Sequence, residues 1–266
     1  MTWERRPIDP LPGPRRLDEV VGAEPLHAAA ALALPETRGP GGFAFAESHM
    51  ARVTGEPVVL ADPNPGPRAV AAGLDAAAAA LGCDLVALVD VGGDVLGHGD
   101  EPGLASPLCD AVMLAASVHM TTPTVAAVFG TGCDGELTPT EVLARLSEVA
   151  AEGGLLGCWG VTPADADALE AAIAEVPTEA SAQAVRAARG ATGEAPIREG
   201  RRTVPLSPVA ALTFFLEPAA TIRTAARLAA AVVDCDSLEA AQGVLAARGV
   251  RTELDYEREH APGVPG

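Results

Sequence analysis

Residues 85–111 read LVALVDVGGDVLGHGDEPGLASPLCDA: five apolar residues run into an aspartate, two glycines and a second aspartate, and the chain then loops towards a new apolar segment. An apolar run of that length marks a strand buried on both faces, as in parallel sheets. Such strands bring their C-terminal ends to one edge, where the chain turns into a crossover helix. Working outward, the same order recurs on both sides. PVVLAD (57–62) is stopped by PNPGP, and RAVAAGLDAAAAALG (68–82) follows as an Ala-rich helix. DLVALVDV (84–91) leads to a helix over 106–120, with Ser106 at its N-cap and Pro107 at N1. TVAAVFG (124–130) leads to a helix over 138–154, where Thr138 and Glu141 form a capping box around Pro139. This alternation predicts an α/β fold, a three-layer α/β/α arrangement on a mostly parallel, doubly wound sheet.

Further along, the patterns predict helices at 162–176, 178–190, 218–232 and 237–248, and a strand at 209–217. A basic, strand-like piece, IREGRRTVPLSP (197–208), lies between them, and GVRTELDY (249–256) closes as a short edge strand. Upstream, residues 1–45 form an irregular N-terminal segment with a short helical pattern near 18–32. Residues 46–266 form the α/β core, and with no repeat or linker in view the chain 1–266 reads as one domain.

Composition narrows the chemistry. The formal charge is −18, from 36 acidic and 18 basic residues, a field that repels phosphate backbones and argues against a nucleic-acid partner. All 18 basic residues are arginine. Without lysine there is no Schiff-base chemistry and no P-loop lysine, so an anion must be held by arginine, backbone N–H groups or a metal. Five cysteines (Cys83, Cys109, Cys133, Cys158, Cys235) form no CxxC pair and read as reduced thiols of a cytoplasmic protein. The histidines show no zinc spacing. No signal peptide or membrane-length apolar stretch is visible. The expected partner is a small-molecule ligand; homo-oligomerisation stays open.

In open parallel sheets, ligands sit outside the C-terminal ends of the strands. Asp90 ends one strand, and Gly92, Gly93 and Asp94 begin the loop beyond it. FGTGCDGELTP repeats the design one strand later, with Gly130, Gly132, Asp134, Gly135 and Glu136. If the two strands are neighbours, Asp90, Asp94, Asp134 and Glu136 converge on one crevice, either to bind a cation or to divide acid and base roles. Asp94 and Asp134 are the expected metal ligands, and Mg²⁺ suits an all-oxygen set best. Glu101 adds a further carboxylate, and Ser106 begins a helix whose N–H groups point outward. Thr178 and Glu179 stand at another helix start, Thr178 as its cap, and Arg186 and Arg201 are the candidates for gripping an anion. His98 is the histidine placed for acid–base work, and Cys133 lies where a helix N-terminus would lower its pKa. The alternative for all of these is structural, because aspartate and glycine also make turns and caps.

WERRPIDPLPGPR, DVGGDVLGHGDEPGLASPLCDA, GTGCDGELTPTEV, VPTEAS, RAARG, IREGRR and RTELDYER together resemble a family of proteins of unknown function, number 1152, found in archaea and actinobacteria. The resemblance spans nearly the whole chain in order and implies an α/β protein without assigning an activity. Members usually begin with a strand and a glycine run ending in aspartate, ahead of the Trp-containing segment. This chain starts at Met1-Thr2-Trp3, so the expectation is a missing first βα unit and an exposed sheet edge or apolar groove. DVGGDVLGHG also resembles the glycine–acid loop of the D-glutamate cyclase domain, which implies an amino-acid-derived acid as substrate. The function expected is an enzyme acting on a small anionic metabolite, of the lyase, hydrolase or transferase class. The alternative is a non-catalytic binding or regulatory protein using the same crevice.

Overall fold

The parallel pair that the opening stretch implies is present. β4 (Val86–Val91) and β5 (Thr124–Phe129) run side by side, from Val86 opposite Thr124 to Val91 opposite Phe129. The structure is a computed structural model and describes residues 1–176 and 178–261. Helix α2 (Gly66–Leu81) precedes β4, α3 (Pro107–Ala116) joins it to β5, and α4 (Pro139–Ala151) follows β5. The predicted capping box on α4 forms as read, with the Thr138 hydroxyl accepting from the Glu141 N–H.

The rest of the sheet differs from the expectation. Its order is β4-β5-β9-β6, where β9 is Leu212–Leu216 and β6 is Leu155–Gly160. β9 lies antiparallel to both of its neighbours, so the sheet is mixed and not mostly parallel. The cause is the connection. After α5 (Pro163–Glu175) and α6 (Ala180–Ala188) the chain makes a hairpin, β7 (Gly193–Ile197) with β8 (Arg202–Leu206), and reaches Leu212 through one turn of 3₁₀ helix. It therefore arrives beside Gly160 and Phe129, at the edge where β5 and β6 end, and with no crossover helix to carry it back it must run the other way. β6 itself has no counterpart in the sequence pattern. Its apolar run is punctuated by glycines at 154, 157 and 160, and it carries a register shift between Leu155 and Gly157.

PVVLAD also takes another place. Its strand, β3 (Val58–Ala61), pairs antiparallel with β2 (Ala30–Ala33), and β2 pairs with β1 (Glu24–His27), in a separate sheet. The helical pattern near 18–32 is thus largely a hairpin. All four residues of β2 are buried, and α2 lies against this sheet with Gly73 close to Ala29 and Ala30, so burial overrides alanine's preference for helix. Helix α1 (Ala46–Thr54) leads into β3.

Two C-terminal expectations also fail. The helix expected over 218–232 breaks into α7 (Pro218–Thr224) and α8 (Arg227–Val232) around the fully buried Ala225 and Ala226. After α9 (Leu238–Ala246), the expected edge strand is helix α10 (Glu253–Glu259), started by a Thr252–Asp255 capping box. TELD carries that signal, and the short apolar alternation around it hides it.

One face of the four-stranded sheet, with Leu88, Ala126, Val128, Phe214 and Leu216, packs on α3, α8 and α9 in the main core. On the other face Phe129 is covered by α6 and the β7–β8 hairpin. Val89 and Trp159 share that face through the strand pairing and stay exposed, Trp159 at 66%. The second helical layer expected of a three-layer fold therefore covers only the end of the sheet where β5 stops. All five cysteines are free. No helix among the described residues is long and apolar enough to cross a membrane.

Candidate functional site

Because β4 and β5 are parallel neighbours, the chain leaves both at the same edge, and the two exits are laced together. The Gly92 N–H donates to the Phe129 carbonyl at 2.9 Å, and the Gly132 N–H donates to the Gly92 carbonyl at 2.7 Å. Gly92 has φ +129°, and a Cβ there would collide with the Asp134 carboxylate. Glycine is thus needed twice at this point, for its conformation and for its lack of bulk.

This lacing gathers the acids. Asp94, in a short 3₁₀ turn, stands with Asp134 and Glu136 so that one oxygen from each lies within 4.8 Å of the others. Asp94 also belongs to a second triad within the same limit, with Asp90 and Asp110. All four acids expected at the crevice are therefore in one contiguous cluster. Asp110, from α3, and Glu253, at the start of α10, are additions that the sequence pattern did not single out. Asp110 sits one turn into the helix that begins at Ser106, a placement legible in SPLCD; Glu253 is hidden by the expectation of a strand there.

The partners of these carboxylates differ. Glu136 accepts from the Ala105 N–H (2.7 Å), the Ser106 N–H (2.8 Å) and the Ser106 hydroxyl (2.5 Å). Glu253 accepts from the N–H groups of Leu108 (3.1 Å) and Cys109 (2.8 Å). The N-terminus of α3 is thus already occupied by two carboxylates. Ser106 does not cap the helix with its own hydroxyl, and this helix end does not stand open to a ligand as the sequence suggested. Asp94 hydrogen-bonds the side chains of Asp90 and Asp110, contacts between carboxyl groups that require a shared proton. Asp134 is only 5% exposed, and neither of its carboxylate oxygens receives a hydrogen bond of regular geometry; the N–H groups of Asp134 and Glu136 favour its charge only weakly, and Oδ2 of Asp90 is likewise enclosed without a regular donor.

Among the described residues, no arginine or histidine pairs with any of these six acids within 4.0 Å. Two like charges at that 4.8 Å limit repel by roughly 3.5 kcal/mol at an effective dielectric of 20. Three such pairs in one fully charged triad approach the whole stability of an ordinary domain, about 5–15 kcal/mol. The cluster therefore holds protons or a cation. Burial first, then Asp90 and Glu136, push Asp134 up to about 8. Burial likewise raises Asp90 to about 7, helped by Asp110, and Asp110 to about 7, helped by Glu253. Asp94 goes well above the usual carboxylate range, from burial and then from four surrounding acids.

The remaining expected site residues are distributed more widely. Gly93 (φ +112°) packs against Val142, and Gly130 and Gly132 also take positive φ in the second loop. Gly135 offers its carbonyl to Arg202 at 2.9 Å, so Arg202, not Arg201, reaches the glycine loop. Arg201 is exposed and bonds the Arg198 carbonyl, while Arg186 is exposed and bonds Gln183. Neither arginine is drawn into the carboxylate cluster. Glu179, not Thr178, is the N-cap of α6, and neither supplies a side-chain cap; Thr178 contacts Ser181, and Glu179 accepts from the Arg198 N–H.

Glu101 serves its own loop, accepting from the N–H groups of His98 and Gly99 and pairing with Arg145 at 2.9 Å. His98 lies in that separate group, its pKa lowered by burial and by Arg145 and Arg227. Cys133 is buried and pushed up to about 12 by burial and then Asp134, the opposite of the lowering expected for a reactive thiol.

Comparison with family models matches residues 1–261 to the family described as "Protein of unknown function (DUF1152)". Comparison with the curated proteins and with the solved structures gives no match.

Proposed function

The chain belongs to the DUF1152 family, and on that footing we propose that it acts on a small anionic metabolite through a divalent cation, Mg²⁺ or its equivalent, held by Asp94, Asp134 and Glu136. The observation that carries this is Asp134: a buried carboxylate neither of whose oxygens receives a hydrogen bond of regular geometry, facing two further acids within 4.8 Å. A bare buried carboxylate is costly, and a hard cation with oxygen ligands removes that cost. Glu136 keeps its Ser106 and Ala105 donors, which fix the orientation of its carboxylate.

The same geometry sets how an anion enters. The amide groups at the start of α3 are taken by Glu136 and Glu253, and Arg202, the arginine that reaches the second loop, is bonded to the Gly135 carbonyl and not to a carboxylate of the cluster. An anionic ligand at the cluster faces carboxylates with no arginine paired to them among the described residues, and a cation between would offset that repulsion. Binding of the anion would thus depend on the metal, which would have to bind first. A cation held by Asp94, Asp134 and Glu136 would supply Lewis-acid polarisation of a ligand oxygen, and a carboxyl group of the cluster would be the group to accept or deliver a proton.

Thermal melting of the metal-free protein, with and without Mg²⁺ and with a panel of carboxylated and phosphorylated metabolites, tests the proposal. Mg²⁺ alone raises the melting temperature, and one class of metabolite raises it further only when Mg²⁺ is present. Turnover of that metabolite identifies an enzyme, and its absence identifies a binding protein. No shift with any divalent cation overturns the proposal.

A further inference from the structure

We infer that the cluster is built for two cations, with the Asp94 carboxylate bridging them, and that it takes an oxyanion across the pair. This rests on the cation proposal above and extends it. Asp94 is common to both triads: Asp134 and Glu136 stand on one side of it, Asp90 and Asp110 on the other. Each side also carries an enclosed oxygen without a regular donor, both oxygens of Asp134 on the first and Oδ2 of Asp90 on the second. A single ion at the first triad leaves the Asp90 oxygen bare, and a single ion at the second leaves Asp134 bare. Two ions satisfy both, and a carboxylate with two oxygens is the group that spans adjacent metals.

The two positions are not equivalent in access. Asp90 and Asp110 line a cavity of about 380 Å³, whereas Asp134 and Glu136 do not. A cation on the Asp90–Asp94–Asp110 side therefore presents its open coordination positions to the cavity, and the inner cation is held mainly by protein. The cavity walls around Asp90 and Asp110 are apolar, among them Leu74, Leu88, Met113 and Ala126. The other polar residues of the lining are Glu47, which pairs with the Met1 ammonium, and Thr221. Metals that share a carboxylate bridge lie about 3.5–4 Å apart, the separation at which one phosphate or carboxylate group bonds both.

The test is a titration of metal-free protein with Mn²⁺, read by calorimetry and by electron paramagnetic resonance, with inorganic phosphate added afterwards. The expected result is two Mn²⁺ per chain, the spectrum of an exchange-coupled pair at saturation, and phosphate binding that requires both ions. Asp110→Asn is expected to reduce the stoichiometry to one, with the spectrum of an isolated ion and at least a tenfold loss of phosphate affinity. If that variant does not fold, Asp90→Asn examines the same position. One Mn²⁺ per chain in the wild type, unchanged in Asp110→Asn, overturns the second position and leaves the first standing. Two ions retained in both Asp110→Asn and Asp90→Asn overturn the residue assignment, and no bound Mn²⁺ overturns both inferences.

Discussion

Asp134 and Glu136 stand two residues apart in one loop and should respond to neutralisation in opposite ways. Asp134 accepts no hydrogen bond of regular geometry and faces other acids, so Asp134→Asn removes repulsion; the metal-free variant should melt at the same temperature as the wild type or higher, yet gain nothing from Mg²⁺. Glu136 holds three donors at the start of α3, so Glu136→Gln should lose about 1–3 kcal/mol in chemical denaturation. Gly92→Ala should cost more than about 1 kcal/mol, because its φ is positive and the new methyl meets the Asp134 carboxylate. At this scale the sequence was informative about type and place. A glycine and an acid just past a buried strand announce Asp94 and Asp134, but nothing in the spacing says that Asp134 is bare while Glu136 is paired. That difference arises from Ser106, thirty residues away and brought in by the fold.

The elements were legible where a local signal and the global arrangement agree. β4, β5 and the α4 capping box follow from their own residues and from their neighbours in sequence. Direction in a sheet is not a local property, and nothing within LTFFL distinguishes a parallel strand from the antiparallel β9; the short path from β8 does. Alanine-rich β2 misleads for a related reason, since its burial beneath α2 outweighs intrinsic preference. Helix α10 was legible in principle through TELD. Thr252 accepts from the Asp255 N–H, and Asp255 accepts from the Thr252 N–H and hydroxyl. Thr252→Ala should therefore cost about 1 kcal/mol, measured by urea denaturation. Because α10 also presents Glu253 to α3, the loss should exceed that of the equivalent Thr162→Ala on α5, whose cap is exposed and whose helix carries no part of the cluster.

The acid cluster also sets how the whole molecule responds to pH. Asp134, Asp90 and Asp110 have folded-state pKa values raised from the ordinary carboxylate range to about 8, 7 and 7. Between about pH 4 and pH 8 the folded state thus holds protons that the unfolded chain has released, and stability falls as pH rises through that window. The metal-free protein should melt at a higher temperature at pH 5.5 than at pH 8, and Asp134→Asn should flatten the slope. Saturating Mg²⁺ should flatten or reverse it in the wild type, because the cation displaces those protons. The fold that creates this behaviour was only partly readable: the α/β class and the shared strand edge were, whereas the mixed sheet and the separate β1–β3 layer depend on contacts between distant segments.

Anomalous scattering from a crystal of the protein soaked in Mn²⁺ decides whether the acid cluster holds a cation. A peak is expected between Asp94, Asp134 and Glu136, about 2.0–2.3 Å from an oxygen of Asp134, as for a hard divalent cation. A crevice without such a peak, with the Asp134 oxygens bonded only to solvent or to protein donors, would contradict a cation there.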